Sequence, residues 1–236
     1  MATALHEVRI PDAAQRLDGD LHIPARYEGL VIFAHGSGSS RFSRRNRQVA
    51  ASFQEAGFAT LLLDLLTPEE DAIDQRTAEF RFDIPRLGRR VIAAADWAAA
   101  HDAFHDTNIG YFGASTGAAA ALIAAAERPE RAGAVVSRGG RPDLAGSALA
   151  LVRAPTLLIV GGADEPVIDM NEDAKRQMAT ITRLEIVPGA THLFEEPGAL
   201  EEVQRLAAEW FHRYLPHERR RGGPVDLLDG VGPGEQ

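Results

Sequence analysis

A mostly parallel β-sheet covered by helices on both faces is the fold class this sequence predicts, and three observations predict it. Short apolar runs alternate with longer amphipathic stretches, the pattern of strands and helices taken in turn. Runs such as LVIFA at 30–34 and FATLLL at 58–63 read as buried strands. A 236-residue chain of which 45% is hydrophobic also holds enough apolar surface for a full core.

Residues 5–10 and 16–23, joined by a polar turn, predict an N-terminal hairpin. Strands follow at 30–34, 58–63, 108–112, 132–136, 155–160 and 183–187, which makes about eight in all. Helices are expected at 44–56, 85–100, 115–127, 171–179 and 199–214, several of them rich in alanine. The alternation from residue 30 onward implies right-handed crossovers. No repeat and no shift of composition interrupts residues 1–215, so they are read as a single domain. From Pro216 glycine and proline are spaced too closely for a helix or a paired strand, and 216–236 reads as a flexible tail with Arg219, Arg220 and Arg221 solvated.

A net charge of −9 works against nucleic acid or an anionic membrane as partner, because the long-range field repels both. Lys175 is the only lysine among 25 basic residues, a skew that carries no function. With no cysteine, disulfides, thiolate nucleophiles, CxxC redox pairs and thiolate–zinc sites leave the field. The first ten residues lack a signal peptide's basic start and apolar stretch, and no segment approaches eighteen uninterrupted apolar residues. The expectation is a soluble cytoplasmic protein.

The chemistry concentrates after residue 108. A strand runs into Gly113-Ala-Ser115-Thr-Gly117 and then directly into an alanine-rich helix. This fits a sharp strand-to-helix turn that exposes a serine hydroxyl, with small neighbours letting strand and helix approach. At a helix N-terminus, the dipole and free N–H groups stabilise an oxyanion such as ester or lactone cleavage generates. A serine needs a base and an orienting acid, and both follow in order. Asp164 lies just past the strand at 155–160, and His192 lies in the loop after the next strand. Parallel strands expose their C-terminal ends on one side, so Ser115, Asp164 and His192 are expected at one sheet edge. Glu165 and Asp169 compete for the acid role, and Asp143 is a reserve.

An oxyanion hole takes one N–H from the residue after the nucleophile, here Thr116. The second follows the strand at 30–34, where His35-Gly-Ser-Gly-Ser-Ser40 offers Ser37 or Gly38; Ser37 is favoured, and His35 supports the loop. A dinucleotide fingerprint fails here for want of a third glycine, and no Gly-Lys-Ser/Thr triplet exists for a P-loop.

HGSGSS, GASTG, LLIVGGADEPV and PGATHLF, in this order and spacing, resemble the α/β-hydrolase superfamily and within it the small dienelactone-hydrolase-like proteins, over about residues 20–215. The resemblance implies a three-layer α/β-hydrolase fold and a serine-hydrolase mechanism. Dienelactone hydrolases proper use a cysteine nucleophile where this chain has Ser115, so the dienelactone substrate does not carry over. Several bacterial proteins of this appearance are joined to a phosphoribosyltransferase domain, which no stretch of this chain matches, so the hydrolase part is expected to stand alone.

The interval of about eighteen residues before Pro155 is too short for a helical cap, so the site is expected to be open. Residues 65–84 form a long connection, and Arg76, Phe80, Arg81 and Phe82 are candidates for the pocket wall or for solvated loop; Phe82 and Gly38 are taken as substrate-binding. Arg138, following the sixth strand, either pairs with a substrate carboxylate or forms a structural salt bridge. His101 and His105 lie four apart beside Asp102 and Asp106, which a polar helix end explains without a metal. Trp97 and Trp210 are expected in the core. The resulting expectation is a hydrolase that cleaves an ester, lactone or thioester of a small molecule, with no metal or organic cofactor, losing activity as His192 takes up a proton. The rival is a non-catalytic ligand-binding or regulatory protein on the same fold.

Overall fold

The computed structural model describes residues 4–215 and 220–221. In chain order its elements are β1 (Ala4–Asp12), β2 (Gln15–Ile23), β3 (Arg26–Tyr27), β4 (Leu30–Ala34), α1 (Arg44–Glu55), β5 (Ala59–Leu63), α2 (Pro68–Thr77), α3 (Ile84–Ala99), β6 (Ile109–Ala114), α4 (Thr116–Glu127), β7 (Ala132–Arg138), a 3-10 stretch (Pro142–Leu151), β8 (Thr156–Gly161), α5 (Glu165–Gln177), β9 (Thr182–Val187), α6 (Ala199–Tyr214) and β10 (Arg220–Arg221). The main sheet has eight strands in the order β1-β2-β5-β4-β6-β7-β8-β9. Its first two pairings, β1 with β2 and β2 with β5, are antiparallel, and every later one is parallel. The two-residue strands β3 and β10 pair with each other. Apart from Arg220–Arg221, the tail expected at 216–236 lies outside the described residues.

β4, β5, β6 and β8 are buried along their whole lengths, as parallel strands covered on both faces must be. One face packs against α1 and α6 through Phe33, Phe53, Phe112 and Phe211. The other packs against α3 and α4 through Ile32, Val91, Tyr111 and Leu122. The neighbours β4 and β6 therefore send their chains to opposite faces, which opens a crevice between their C-terminal ends. Between β7 and β8 the chain makes only the short 3-10 stretch, and no cap domain is built there.

The connection 65–84, expected as loop, contains the helix α2. Thr67 caps it, with its side chain accepting the Glu70 N–H while the Glu70 carboxylate accepts the Thr67 N–H, and Pro68 opens it. Its buried residues are Glu70 and Asp74. Arg90, only 2% exposed, places Nη1 2.5 Å from Glu70 Oε2 and also bonds Asp12, Gln15 and the Leu65 carbonyl. Helix α5 likewise begins at Glu165, ahead of the expected residue 171. Among the described residues, no helix is long and apolar enough to cross a membrane.

Candidate active site

β6 delivers Ser115 into a conformation side chains rarely adopt, φ 51° and ψ −123°. The turn is possible because of two glycines. A Cβ on Gly113 would stand 2.4 Å from Ala118 Cα, and one on Gly117 would stand 2.2 Å from the Ala34 carbonyl oxygen. The Ser115 peptide is held from the β7 side, since its N–H donates to the Arg138 carbonyl at 3.3 Å and its own carbonyl accepts the Arg141 N–H at 3.0 Å. The residue stays partly exposed at the head of α4, while Thr116 beside it is buried.

Asp164 and His192 come together at the ends of β8 and β9. Asp164 caps α5 without a side-chain capping bond, so its carboxylate is free to face the next loop. His192 Nδ1 lies 2.7 Å from Asp164 Oδ2. A donor toward a carboxylate puts the ring proton on Nδ1 and leaves the Nε2 lone pair outward. The carrying loops are bonded to each other, with the Gly162 N–H donating to the Val187 carbonyl at 2.8 Å and the Ala163 N–H to the Ala190 carbonyl at 2.9 Å. Phe194, buried with φ at 54°, anchors the His192 loop in the core. Among the described residues, no hydrogen bond yet joins Ser115 Oγ to the His192 ring. Such contacts are commonly long in unliganded enzymes and tighten with substrate.

The loop after β4 lies against Ser115, for a Cβ on Gly36 would stand 3.0 Å from Ser115 Cβ. Ser37 and Gly38 sit exposed at its tip, and the Ser39 N–H closes the turn on the Gly36 carbonyl at 3.2 Å. His35 fixes this loop from beneath. Its Nε2 accepts the Leu65 N–H at 3.0 Å, so Nδ1 carries the proton given to the Gly36 carbonyl at 2.9 Å. Burial lowers the His35 pKa below its ordinary 6.5, against the raising effect of the Gly36 bond.

The remaining candidates separate. Asp143 is occupied by Arg141, at 2.9 and 2.8 Å, while Glu165 and Asp169 are exposed. Phe82 is 59% exposed. The side chain of that segment within reach of Gly38 is Arg81, whose Nη1 would meet a Cβ there at 3.4 Å. Buried Asp74 holds Arg81 by accepting from its N–H at 2.9 Å and its Nε at 2.6 Å. Arg138 is buried, among the described residues it has no salt bridge of the kind offered as one of its two readings, and its pKa is lowered to about 10 by burial and by Arg45. His101 Nδ1 bonds the Trp97 carbonyl and His105 Nδ1 the Asp106 carboxylate. Trp210 is buried in the core between the sheet, α1 and α6, and Trp97 packs, partly buried, against the separate core on the sheet's other face. Asn171, which no sequence signal marked, donates from α5 to the Gly140 carbonyl at 3.0 Å and so braces the loop that holds Ser115.

A profile described as the dienelactone hydrolase family matches residues 18–215. Two curated Mycobacterium tuberculosis proteins, from strains CDC 1551 and H37Rv and each provisionally named a phosphoribosyl transferase, are 52% identical over 227 residues. That match covers 96% of this chain and 47% of theirs, so the chain spans about half the length of these relatives. The crystal structure of a dienelactone hydrolase from Anabaena variabilis superposes with a TM-score of 0.89 at 58% identity, over 91% of this chain and all of that one. Est1E from Butyrivibrio proteoclasticus shares the fold at a TM-score of 0.72 and 18% identity, over 88% of this chain and 98% of that one.

Proposed function

The chain belongs to the dienelactone hydrolase family, and from that premise we propose that it is a serine hydrolase cleaving an ester, lactone or thioester of a small substrate. The observation that carries this reading is the 2.7 Å contact between Asp164 and His192, at the edge where Ser115 stands in its strained turn.

His192 Nε2 takes the Ser115 proton as Oγ attacks the carbonyl carbon, and Asp164 holds the imidazole in the tautomer that allows it. The oxyanion is met by the N–H groups of Thr116 and Ser37 as the carbonyl becomes tetrahedral. His192 then passes the proton to the leaving group, and a water activated by the same ring releases the acyl group from Ser115. Gly38, Arg81 and Phe82 form the mouth. The steps use only the chain's own groups and water.

The test is treatment of the wild type and of Ser115→Ala with a fluorophosphonate probe, with intact mass recorded alongside hydrolysis of p-nitrophenyl acetate and butyrate. The reading requires one adduct and turnover in the wild type, and the loss of both in the variant. A wild type that neither labels nor turns over would leave the fold serving ligand binding.

A further inference from the structure

A guanidinium inside a protein normally has a carboxylate beside it, because stripping an ion of water costs several kcal/mol unless a partner repays it. Arg138, the last residue of β7, has none. It is 7% exposed, its Nε and Nη1 are enclosed without a hydrogen-bond partner, and among the described residues no acid pairs with it. The charge that acts on it is Arg45 of α1, a second cation. Arg45 gives Nη1 to Glu195 at 2.6 Å, yet its Nε is also enclosed and unpartnered. Three donor nitrogens on two mutually repelling cations are thus unmet, an arrangement that a chain folding for stability alone has no reason to keep.

Strand alternation sends Arg138 to the sheet face of Val136, the face covered by α1 and α6. On that side of the sheet the N-terminal ends of α1 and α6 border a crevice of about 510 Å³ whose lining includes Ser39, Ser43 and Arg45 but not Arg138 itself. Three glutamates also line it: Glu195 is engaged by Arg45, Glu196 accepts from Thr191 through Oε1 while its Oε2 is enclosed without a partner, and Glu201 is exposed.

We propose that Arg138 and Arg45 form the receptor for a compact oxyanion, a carboxylate or a phosphate, on this flank of the nucleophile. The planar fork of arginine suits such groups, which it binds through two parallel N–H bonds. The anion comes from one of two sources. It is a free ion seated beside the His192 loop, or it is the acid group of the ester that Ser115 attacks; the Arg138 carbonyl already holds the Ser115 N–H, so the two lie within one side chain's length.

The binding arm of the test needs no turnover, so its result is separate from the hydrolase reading. Inorganic phosphate and succinate are titrated calorimetrically into Ser115→Ala protein, against sodium chloride at matched ionic strength, and the same is done in Ser115→Ala combined with Arg138→Met or with Arg45→Met. Saturable binding, weakened at least tenfold by Arg138→Met and at least threefold by Arg45→Met, is the expected result. Arg45 is on a helix surface, so its variant decides the matter if the Arg138 variant does not fold. No saturable binding, or binding unchanged by the substitution that folds, overturns the proposal. A turnover arm then assigns the source, comparing p-nitrophenyl acetate with the mono-p-nitrophenyl ester of succinic acid. A substrate acid group makes kcat/KM for the acid ester fall at least tenfold more than for the neutral ester in Arg138→Met, with phosphate competitive. A free anion changes both esters alike, without competition.

Discussion

Asp164 Oδ2 and His192 Nδ1 meet at 2.7 Å across the ends of β8 and β9, and two backbone hydrogen bonds between their loops set that distance. The pair is therefore assembled by the fold and not by the attraction of one side chain for the other. Removing the charge should disturb the chemistry without disturbing the scaffold.

Asp164→Asn is expected to lower kcat for p-nitrophenyl acetate on the order of 10³- to 10⁴-fold, since the amide favours the wrong imidazole tautomer. Thermal unfolding should shift little. A variant with kcat within tenfold of the wild type would remove Asp164 from the acid role.

His35 makes the loop after β4 sensitive to acid. Its pKa is lowered in the folded protein, chiefly by burial, so above 6.5 neither folded nor unfolded chain carries the extra proton and its contribution is complete. As pH falls below 6.5 the unfolded chain takes up the proton first, and stability drops until the folded ring titrates too. Denaturant unfolding of wild type and His35→Asn between pH 8 and 5 should show their difference shrinking with falling pH; parallel curves would contradict this.

Glu70→Gln removes the charge facing buried Arg90 and should cost about 3 kcal/mol. Burial pushes the Glu70 carboxyl up, but the Arg90 hydrogen bond and the Thr67 N–H outweigh it and hold the group below its ordinary value. The wild type should therefore lose this share of stability as pH falls through the carboxylate range. Hydrogen exchange should quicken first in α2, and an α2 protected as before in the variant would show that something else holds the helix.

Gly117→Ala places a methyl group 2.2 Å from the Ala34 oxygen, contact that only backbone movement relieves. A loss of about 3 kcal/mol is expected, together with loss of fluorophosphonate labelling. Ordinary stability and labelling would mean that the elbow is looser than its geometry.

The placement of Ser115, Asp164 and His192 after three strands was legible in the sequence, because a parallel sheet turns strand order into common location. What was hidden is held by charge or by single polar bonds. Helix α2 buries Glu70 and Asp74 and offers no apolar stripe. Its Asp74 fixes Arg81 beside Gly38, a pairing between residues that propensity treats separately. Asn171 is unremarkable in a helix until Gly140 is seen above it. For Arg138, the chain showed the cation but not the missing partner.

The divergence of β4 and β6 toward opposite faces has one more consequence. Ser37, proposed as one oxyanion donor, travels with α1 and its phenylalanine-rich core, while Thr116, proposed as the other, travels with α4 and its alanine-rich one. The gap between the two donors is thus spanned by the sheet, and it registers any swelling or settling of either half of the interior. A displacement of about 1 Å is enough to cost a reaction on the order of a hundredfold, whereas the same repacking shifts folding free energy by an amount easily overlooked. In this architecture the reaction rate is the finer caliper of how well the interior is filled.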